Sequence, residues 1–282
     1  EPTYYSRRQI DHRVAHLDAL YDPESERMIR DFNREEVAFI ENERRLCALD
    51  FHYWADRYAK IIDWRREEVR IEPNVAQRII LDIWADTERE SRAIMMQQLK
   101  ARQLGVTTLT ELAVAHRVQF RKRTNAVVAS ADPDKTSKMA KMIGYCWSHQ
   151  PYWLLPRVTR VHQGMPAEFA EINSSLLFQA GNQFTGLARG DTPNVLHASE
   201  LCEWPDPENQ IDASVLRAVH ETPEVFFILE STALGRGNWW HNTWKQVKED
   251  YPMGRSRLRP VFLPWYVGTD IWPSPIDLRN RP

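Results

Sequence analysis

The sequence lacks the features that mark membrane, secreted and zinc-knuckle proteins. Its 282 residues include only three cysteines, Cys47, Cys146 and Cys202, whose wide spacing forms neither a disulfide framework nor a metal knuckle and suits a reducing compartment. It contains no run of 18 apolar residues, and its first residues show no signal-peptide pattern. We therefore expect neither membrane insertion nor secretion.

An excess of basic charge is also missing. The chain has 37 lysines and arginines against 39 aspartates and glutamates, a formal net charge of −2, so any nucleic-acid surface would have to be local. Hydrophobic residues make up 43% and charged residues 27%, which is typical of one large globular domain or one domain with an extension. The eleven tryptophans indicate large aromatic anchors or contact surfaces.

Residues 94–117 hold the strongest signal in the chain. A short apolar run is followed by a loop with one glycine, Gly105, and two cations, and then by an amphipathic helix. Thr107 or Thr108 is predicted to cap that helix. The predicted buried stripe of the helix consists of Leu109, Leu112, Ala113 and Ala115. A strand, a loop and a helix N-terminus in this order form an anion site, because the first helical N–H groups have no partner within the helix.

The loop departs from the usual phosphate-binding pattern G-x-x-x-x-G-K-[ST]. Gly105 and Thr107 match its second glycine and its hydroxyl, but Val106 stands at the lysine position and Lys100 at the first glycine position. Both ends of such a loop face the same phosphates, so an ammonium entering from Lys100 can supply the charge that is missing beside Gly105. The alternative is a strand–loop–helix unit whose lysine and arginine are solvated.

Elsewhere the chain alternates helices with short apolar strands, which favours an α/β sheet with parallel strands. Residues 1–70 read as helical, with a capped helix start at Asp22 and an aromatic block at 51–64 that either packs on the core or docks a partner. Further helices are predicted from Pro73, carrying Gln77, and at Lys135–Ile143. Strands are predicted at 125–130, 158–161, 169–178 with a break around Asn173, and within 194–200, 224–231 and 258–266.

Two of these strands end in polar residues. One ends in Ser199 and Glu200, and another leads into Ser231-Thr-Ala233. Because ligands bind at the carboxyl ends of parallel strands, we expect both ends to lie beside the phosphate loop. Glu203 is a competing acidic candidate, and Glu200 is preferred because it follows its strand directly.

Together these motifs resemble the ATPase domain of the large terminase subunit of tailed bacteriophages, over roughly residues 70–270. The run 100–108 resembles that family's deviant Walker A motif, in which the lysine can start the loop. Ser199-Glu200 resembles its Walker B motif with serine in place of aspartate, and Ser231-Thr-Ala233 resembles its motif III. The resemblance implies an α/β P-loop NTPase of the ASCE/RecA-like type, with a mainly parallel central sheet flanked by helices and an N-terminal helical extension.

The resemblance also implies ATP and Mg²⁺ as ligands. Nucleotide contacts would come from Gln77, which would read the adenine edge, and from the loop residues Lys100, Ala101, Arg102, Gln103, Leu104, Gly105, Val106, Thr107 and Thr108. Thr107 and Ser199 would hold the metal.

Catalytic and coupling roles follow from the same resemblance. Glu200 would orient and deprotonate the attacking water, and Arg102 would stabilise the transition state. Arg189, Arg236 or an arginine of a neighbouring subunit are alternatives for the latter role. Coupling of the γ-phosphate to DNA-gripping elements would fall to Ser231, Thr232 and Ala233.

The implied function is ATP hydrolysis that powers translocation of double-stranded viral DNA into a procapsid. Implied partners are double-stranded DNA, the portal protein, the small terminase subunit and further copies of the chain in a ring, pentameric in the family. The site of action would be the host cytoplasm and, transiently, the procapsid portal. Two alternatives stay open: a helicase-like or repair NTPase, which would need a second ATPase lobe, and a non-hydrolysing nucleotide- or DNA-binding module.

We expect three parts along the chain. Residues 1–70 form the helical extension, 71–270 the ATPase core, and 271–282 the start of a linker to a C-terminal nuclease domain that this chain has no room for. Since the sequence starts at Glu1 without a methionine, we expect a fragment of a longer protein.

Overall fold

A computed structural model describes residues 2–22, 24–25, 27–63, 65–156, 167–181 and 192–268. The helices are α1 Arg7–Asp18, α2 Arg34–Leu49, α3 Phe51–Arg57, α4 Val75–Arg89, α5 Val106–Phe120, α6 Pro133–Ser148 and α7 Trp239–Asp250, with a π-helical segment at Glu208–Leu216. The strands are β1 Tyr21–Asp22, β2 Arg27–Met28, β3 Lys60–Ile62, β4 Glu68–Arg70, β5 Ile94–Lys100, β6 Asn125–Ser130, β7 Ala167–Phe169, β8 Ser174–Ala180, β9 Val195–Ser199, β10 Phe226–Ser231 and β11 Arg259–Leu263.

A seven-stranded sheet forms the centre, in the order β11-β5-β10-β9-β6-β8-β7. Every neighbouring pair is parallel except β7 and β8, which are antiparallel. The predicted α/β fold with a mainly parallel central sheet flanked by helices is therefore confirmed. The order also places β10 between β9 and β5, the strand that leads into the loop before α5.

Both faces of the sheet are covered, as a parallel sheet requires. Alternate residues of β10 show this directly: Phe226 and Ile228 pack in the core on the side of α4, α5 and α6, whereas Phe227 and Leu229 pack on the side of α7. All six residues of β10 are buried. A charged residue on this strand must therefore find its partners inside the protein.

Helix α5 lies in the middle of the larger core. The predicted stripe Leu109, Leu112, Ala113 and Ala115 is buried, but so is every other residue from 109 to 119. The helix is covered on its outer side because α2 and α3 of the N-terminal extension pack against it. The prediction of one buried face was therefore too narrow, since the extension supplies a second one.

Most of the described part of the aromatic block at 51–64 packs on the core. Trp54 is completely buried, and its ring lies 5.3 Å from that of His116 and 6.3 Å from that of Phe120, both on α5. Large aromatic side chains contribute strongly to such a core. This is the first of the two interpretations of the block.

The predicted helix start at Asp22 is wrong. The carboxylate of Asp22 accepts hydrogen bonds from the Glu24 N–H at 3.1 Å and from the Ser25 hydroxyl at 2.6 Å, so it stabilises the connection between the short antiparallel strands β1 and β2. The next helix begins at Arg34, with the side chain of Asn33 as its cap. Aspartate favours turns and caps for the same reason, which is its short acceptor side chain.

Among the described residues, no helix combines the length and the apolar character needed to cross a bilayer. Three predicted features lie outside those residues: the strand at 158–161, the arginine Arg189 and the linker at 271–282.

Candidate active site

The carboxyl ends of β5, β10 and β9 meet at one edge of the sheet, beside the N-terminus of α5. The register pairs Glu230 with Gln98 of β5 and with Ser199 of β9, so these residues stand at the same level. Lys100 is the last residue of β5. The fold thus brings together the loop and both polar strand ends, as the sequence predicted for a nucleotide site.

Gly105 occupies the cap position of α5, which corrects the prediction that Thr107 or Thr108 caps this helix. Its φ of 69° is left-handed, and no side chain caps the helix. A Cβ at this position would lie 2.8 Å from Nε2 of Gln77, and side chains rarely adopt this backbone conformation, so the position favours glycine. The first amides of α5 are left to bind an anion.

The N-terminus of α4 holds the loop in place. Nε2 of Gln77 donates to the Gly105 carbonyl at 2.7 Å, and the side chain of Asn74 donates to the Leu104 carbonyl at 3.1 Å. Oε1 of the Gln77 side chain accepts from the Asn74 backbone N–H at 3.0 Å. Gln77 therefore has a structural role that the sequence did not reveal, and its contact with adenine stays a prediction that would use the second N–H of the same amide.

Lys100 is turned inward. Its side chain is 8% exposed, and its Nζ lies 3.9 Å from Oε1 of Glu230. The alternative in which this lysine is a solvated surface cation is therefore wrong. Arg102, the other cation of the loop, is exposed.

The remaining loop residues divide into anchors and exposed positions. Leu104 and Val106 are buried and fix the two sides of Gly105. Gln103 is exposed with a φ of 62°, while Ala101 and Thr108 are half-buried. Val106 thus fills the lysine position of the usual motif with a core side chain.

Glu230 lies at the centre of the site, although no sequence motif pointed to it. Its Oε1 accepts hydrogen bonds from the Thr107 hydroxyl at 2.7 Å and from the Ser199 hydroxyl at 2.9 Å, and it lies 3.2 Å from Nε2 of His197. The side chain is completely buried. A signal existed: glutamate within an apolar, fully buried strand is rare unless it is paired.

The charge of Glu230 is held by its neighbours. Burial raises the pKa of this carboxyl, but the Lys100 ammonium, the charged His197 ring and the hydrogen bond from Thr107 outweigh burial and lower the pKa to about 2. His197 lies between two buried carboxyls, because its Nδ1 contacts Glu111 of α5. Burial lowers the pKa of His197, yet Glu230 and Glu111 together raise it to about 9.

Glu200 follows β9 directly, as predicted, in a left-handed conformation with a φ of 57°. Such a conformation costs about 1–3 kcal/mol for a residue other than glycine and is frequent at functional sites. The competing candidate Glu203 forms an ion pair with Lys135. Glu200 is half-buried at the edge of the sheet, where a reacting group would be accessible.

The turn that carries Glu200 is fixed from two sides. The Trp204 indole N–H donates to the Ser199 carbonyl at 3.0 Å, and its ring lies where a side chain at Gly181 would stand, 2.6 Å from the position of that Cβ. On the other side, the hydroxyl of Ser231 accepts from the Cys202 N–H at 3.1 Å. The predicted coupling residue Ser231 thus contacts the backbone two residues after Glu200, while Thr232 is half-buried and Ala233 is exposed.

The arginine that would stabilise a transition state stays a prediction. Arg102 and Arg236 are both exposed, and Arg189 lies outside the described residues.

The residues at this edge suit a magnesium ion. Thr107, Ser199 and Glu230 offer hydroxyl and carboxylate oxygens, the hard ligands that Mg²⁺ prefers. Oε2 of Glu230 is buried and has no hydrogen-bond partner among the described residues. A buried carboxylate oxygen without a partner is costly, so a cation or a water held by it would satisfy this group.

Comparison with known proteins gives a likeness in structure alone. No protein-family model and no curated protein matches the sequence. Among solved structures, the fold is similar to the crystal structure of the HK97 bacteriophage large terminase, with a TM-score of 0.56 and 13% sequence identity. The match covers 77% of this chain and 43% of that one, so the chain spans less than half of that terminase. The chain thus shares the fold of part of that large terminase, in agreement with the resemblance of its motifs.

Proposed function

We propose that the chain is an ATPase motor domain of the large-terminase type, which hydrolyses ATP to drive double-stranded viral DNA into a procapsid. The observation that carries the proposal is the position of Lys100. It is buried at the start of the loop and faces the same carboxylate as the Thr107 hydroxyl of α5. A lysine at the start of the loop can thus replace the lysine of the usual motif, whose position is occupied here by Val106.

Each residue at the sheet edge has a distinct task in this proposal. The Lys100 ammonium and the first amides of α5 bind the phosphates, and the Thr107 hydroxyl helps to hold Mg²⁺, which neutralises charge on the β- and γ-phosphates when bound. The Glu200 carboxylate accepts the proton of the attacking water and orients it. Phosphoryl transfer asks a protein mainly for such positioning and charge stabilisation.

ATP turnover by the full chain tests the proposal. We expect Lys100→Ala to lower the rate about 100-fold, as the loss of one transition-state contact does, and Glu200→Gln to lower it about 10²–10⁴-fold. The matched controls are Lys141→Ala, an exposed lysine of α6, and Glu203→Gln, three residues after Glu200. Equal rates in all variants and the parent would exclude an enzyme and leave the non-hydrolysing module.

A second variant tests the position of the lysine. Lys100→Ala combined with Val106→Lys moves the ammonium to the far end of the loop, where the usual motif has it. Recovery of turnover relative to Lys100→Ala alone would show that both positions reach the same phosphates. No recovery would show that Val106 is needed as a core side chain.

The motor and the helicase-like alternative differ in what they do to DNA. A motor moves along a duplex without separating its strands, and we propose that it acts as a ring at the portal, with the small terminase subunit, in the host cytoplasm. Displacement of a triplex-forming strand from duplex DNA measures translocation, and release of a labelled strand measures unwinding. ATP-dependent displacement without unwinding supports the motor, and unwinding supports the helicase.

A further inference from the structure

The hydroxyls of Thr107 and Ser199, both candidate ligands of magnesium, donate to the same oxygen of Glu230. In P-loop NTPases the hydroxyl of the loop works together with an acidic residue on the Walker B strand to hold Mg²⁺. Here that strand is β9, and the position of the acid is Ser199, which has no charge. We infer that Glu230, on the neighbouring strand, supplies the carboxylate of the magnesium site. This inference rests on the proposed function.

The sheet order explains how another strand can take over this task. β10 lies between β5 and β9, so its side chains stand one strand nearer to the phosphate loop than those of β9. The register places Glu230 beside Ser199, at the same level along the sheet. A carboxylate moved from β9 to β10 therefore still reaches the hydroxyl of Thr107, at 2.7 Å.

The two carboxylate oxygens of Glu230 have different surroundings. Oε1 is surrounded by the two hydroxyls, with Nζ of Lys100 at 3.9 Å and Nε2 of His197 at 3.2 Å. Oε2 is buried without a hydrogen-bond partner among the described residues. The structure therefore provides one oxygen that orients Thr107 and a second that is available to the cation or to a water of its hydration shell.

Neutralising Lys100 is a competing role for Glu230. The contact between them, at 3.9 Å, stands at the limit of an ion pair, whereas the bond to Thr107 is short. A residue that only balanced the lysine would affect nucleotide binding equally with and without metal. A residue of the metal site would affect it only when Mg²⁺ is present, and this difference can be measured without turnover.

The experiment measures binding of a fluorescent ADP analogue to the full chain, in Mg²⁺ and in EDTA. We expect Glu230→Gln to weaken binding about 10- to 100-fold in Mg²⁺, the usual loss for a group that supports a metal site, and to leave binding in EDTA unchanged or tighter. Glu230→Asp keeps the charge beside Lys100 and His197 and so protects folding. Because the aspartate side chain is shorter, its carboxylate lies farther from Thr107, and we expect this variant to show the same loss of binding in Mg²⁺.

The double variant Glu230→Gln with Ser199→Asp returns an acid to the usual strand. We expect it to recover part of the Mg²⁺ effect, and titration with Mn²⁺ in the presence of ADP, followed by electron paramagnetic resonance, should show the ion lost in Glu230→Gln and regained in the double variant. Glu43→Gln, a buried acid elsewhere, is the control and should bind as the parent does.

The inference is overturned if Glu230→Asp and Glu230→Gln bind the analogue in Mg²⁺ as the parent does. It is also overturned if both variants lose the same fold in affinity in Mg²⁺ and in EDTA. Either result leaves the proposed function intact when the parent still hydrolyses ATP. A parent chain that binds no ADP under either condition would instead remove the proposed function itself.

Discussion

Two acidic residues, Glu230 and Glu43, are completely buried in different regions, and their surroundings are opposite. Glu230 lies at the phosphate-loop edge of the sheet, beside the cations Lys100 and His197. Glu43 lies in the N-terminal layer, which is formed by α2 and α3 where they cover α5. There it accepts hydrogen bonds from the hydroxyls of Tyr53 at 2.9 Å and Tyr58 at 2.8 Å.

The two surroundings shift the pKa values of the two carboxyls in opposite directions. Burial raises the pKa of Glu43 because hydroxyl donors compensate only part of the lost solvation. At Glu230 two cations reverse that effect and keep a carboxylate ionised inside the protein. Full burial of an acid does not by itself indicate function. The charge of its neighbours shows whether the acid stabilises the fold or is available for chemistry.

The comparison is tested most strongly by turnover. We expect Glu230→Gln to lower ATP hydrolysis at least 100-fold, because an ionised carboxylate at the site is lost, and Glu43→Gln to leave it within about twofold. Circular dichroism checks that both variants fold. Equal effects of the two substitutions would mean that burial alone determines the importance of these residues.

The pH dependence of stability should differ in sign between the two acids. The lowered pKa of Glu230 gives stability that is present above pH 4.5 and is lost as the pH falls through about 2, at most about 3 kcal/mol at 1.36 kcal/mol per pKa unit. The raised pKa of Glu43 gives stability that is present below pH 4.5 and is lost as the pH rises. Urea unfolding of the parent and both glutamine variants from pH 3 to 7 measures this, and parallel curves would contradict it.

Two buried histidines extend the comparison. His197 belongs to the loop edge, and its pKa is raised to about 9 by Glu230 and Glu111 against the opposing effect of burial. His116 contacts the Cys47 carbonyl of the N-terminal layer, and burial lowers its pKa to about 3. The stability from His197 is fully present below pH 6.5 and is lost as the pH rises through about 9. The lowered pKa of His116 gives stability that is present above pH 6.5 and is lost as the pH falls through about 3, so its main slope lies below pH 6.5.

Between pH 6.5 and 8 the parent should therefore lose up to about 2 kcal/mol of unfolding free energy through His197. His197→Gln should remove this slope, and His116→Gln should keep it. Chemical unfolding at the two pH values gives both results. A slope that survives in His197→Gln would mean that the histidine is neutral between its two acids.

The smallest effects are expected from single hydroxyls outside the candidate site. Tyr58→Phe removes one buried hydrogen bond to Glu43 and should cost about 1–2 kcal/mol of stability without changing turnover. Tyr145→Phe, which removes a bond to the exposed Glu68, should cost less than about 0.5 kcal/mol. A fall in turnover in Tyr58→Phe would show that the layer affects catalysis.

Sequence patterns predicted the sheet and the location of its polar strand ends because these signals are local. Strand β6 was predicted at its observed bounds, and the ends of β9 and β10 were placed beside the loop. Glu200 and Ser231 were found because each ends an apolar run. The same rule, that ligands bind at the carboxyl ends of parallel strands, placed them together.

What the sequence could not show depends on distant partners. Glu230 bonds Thr107, 123 residues away, and nothing in the apolar run around it identifies that partner. The same bond explains the wrong cap: the Thr107 hydroxyl is directed to Glu230, and Gly105 takes the cap position by its backbone alone. The cover of α5 by the N-terminal layer is a third such case, because a helix pattern records which residues are apolar and not how many neighbours bury them.

The close packing of Gly181 against the Trp204 ring sets a limit on how this edge can vary. Gly181 follows β8, two strands away from β9, yet the absence of a side chain there makes room for the indole that holds the Ser199 carbonyl. The turn that carries Glu200 consequently depends on a residue of another strand end. Under the proposed function, a side chain at position 181 would displace the Trp204 ring and disturb Glu200 without itself belonging to the reaction site.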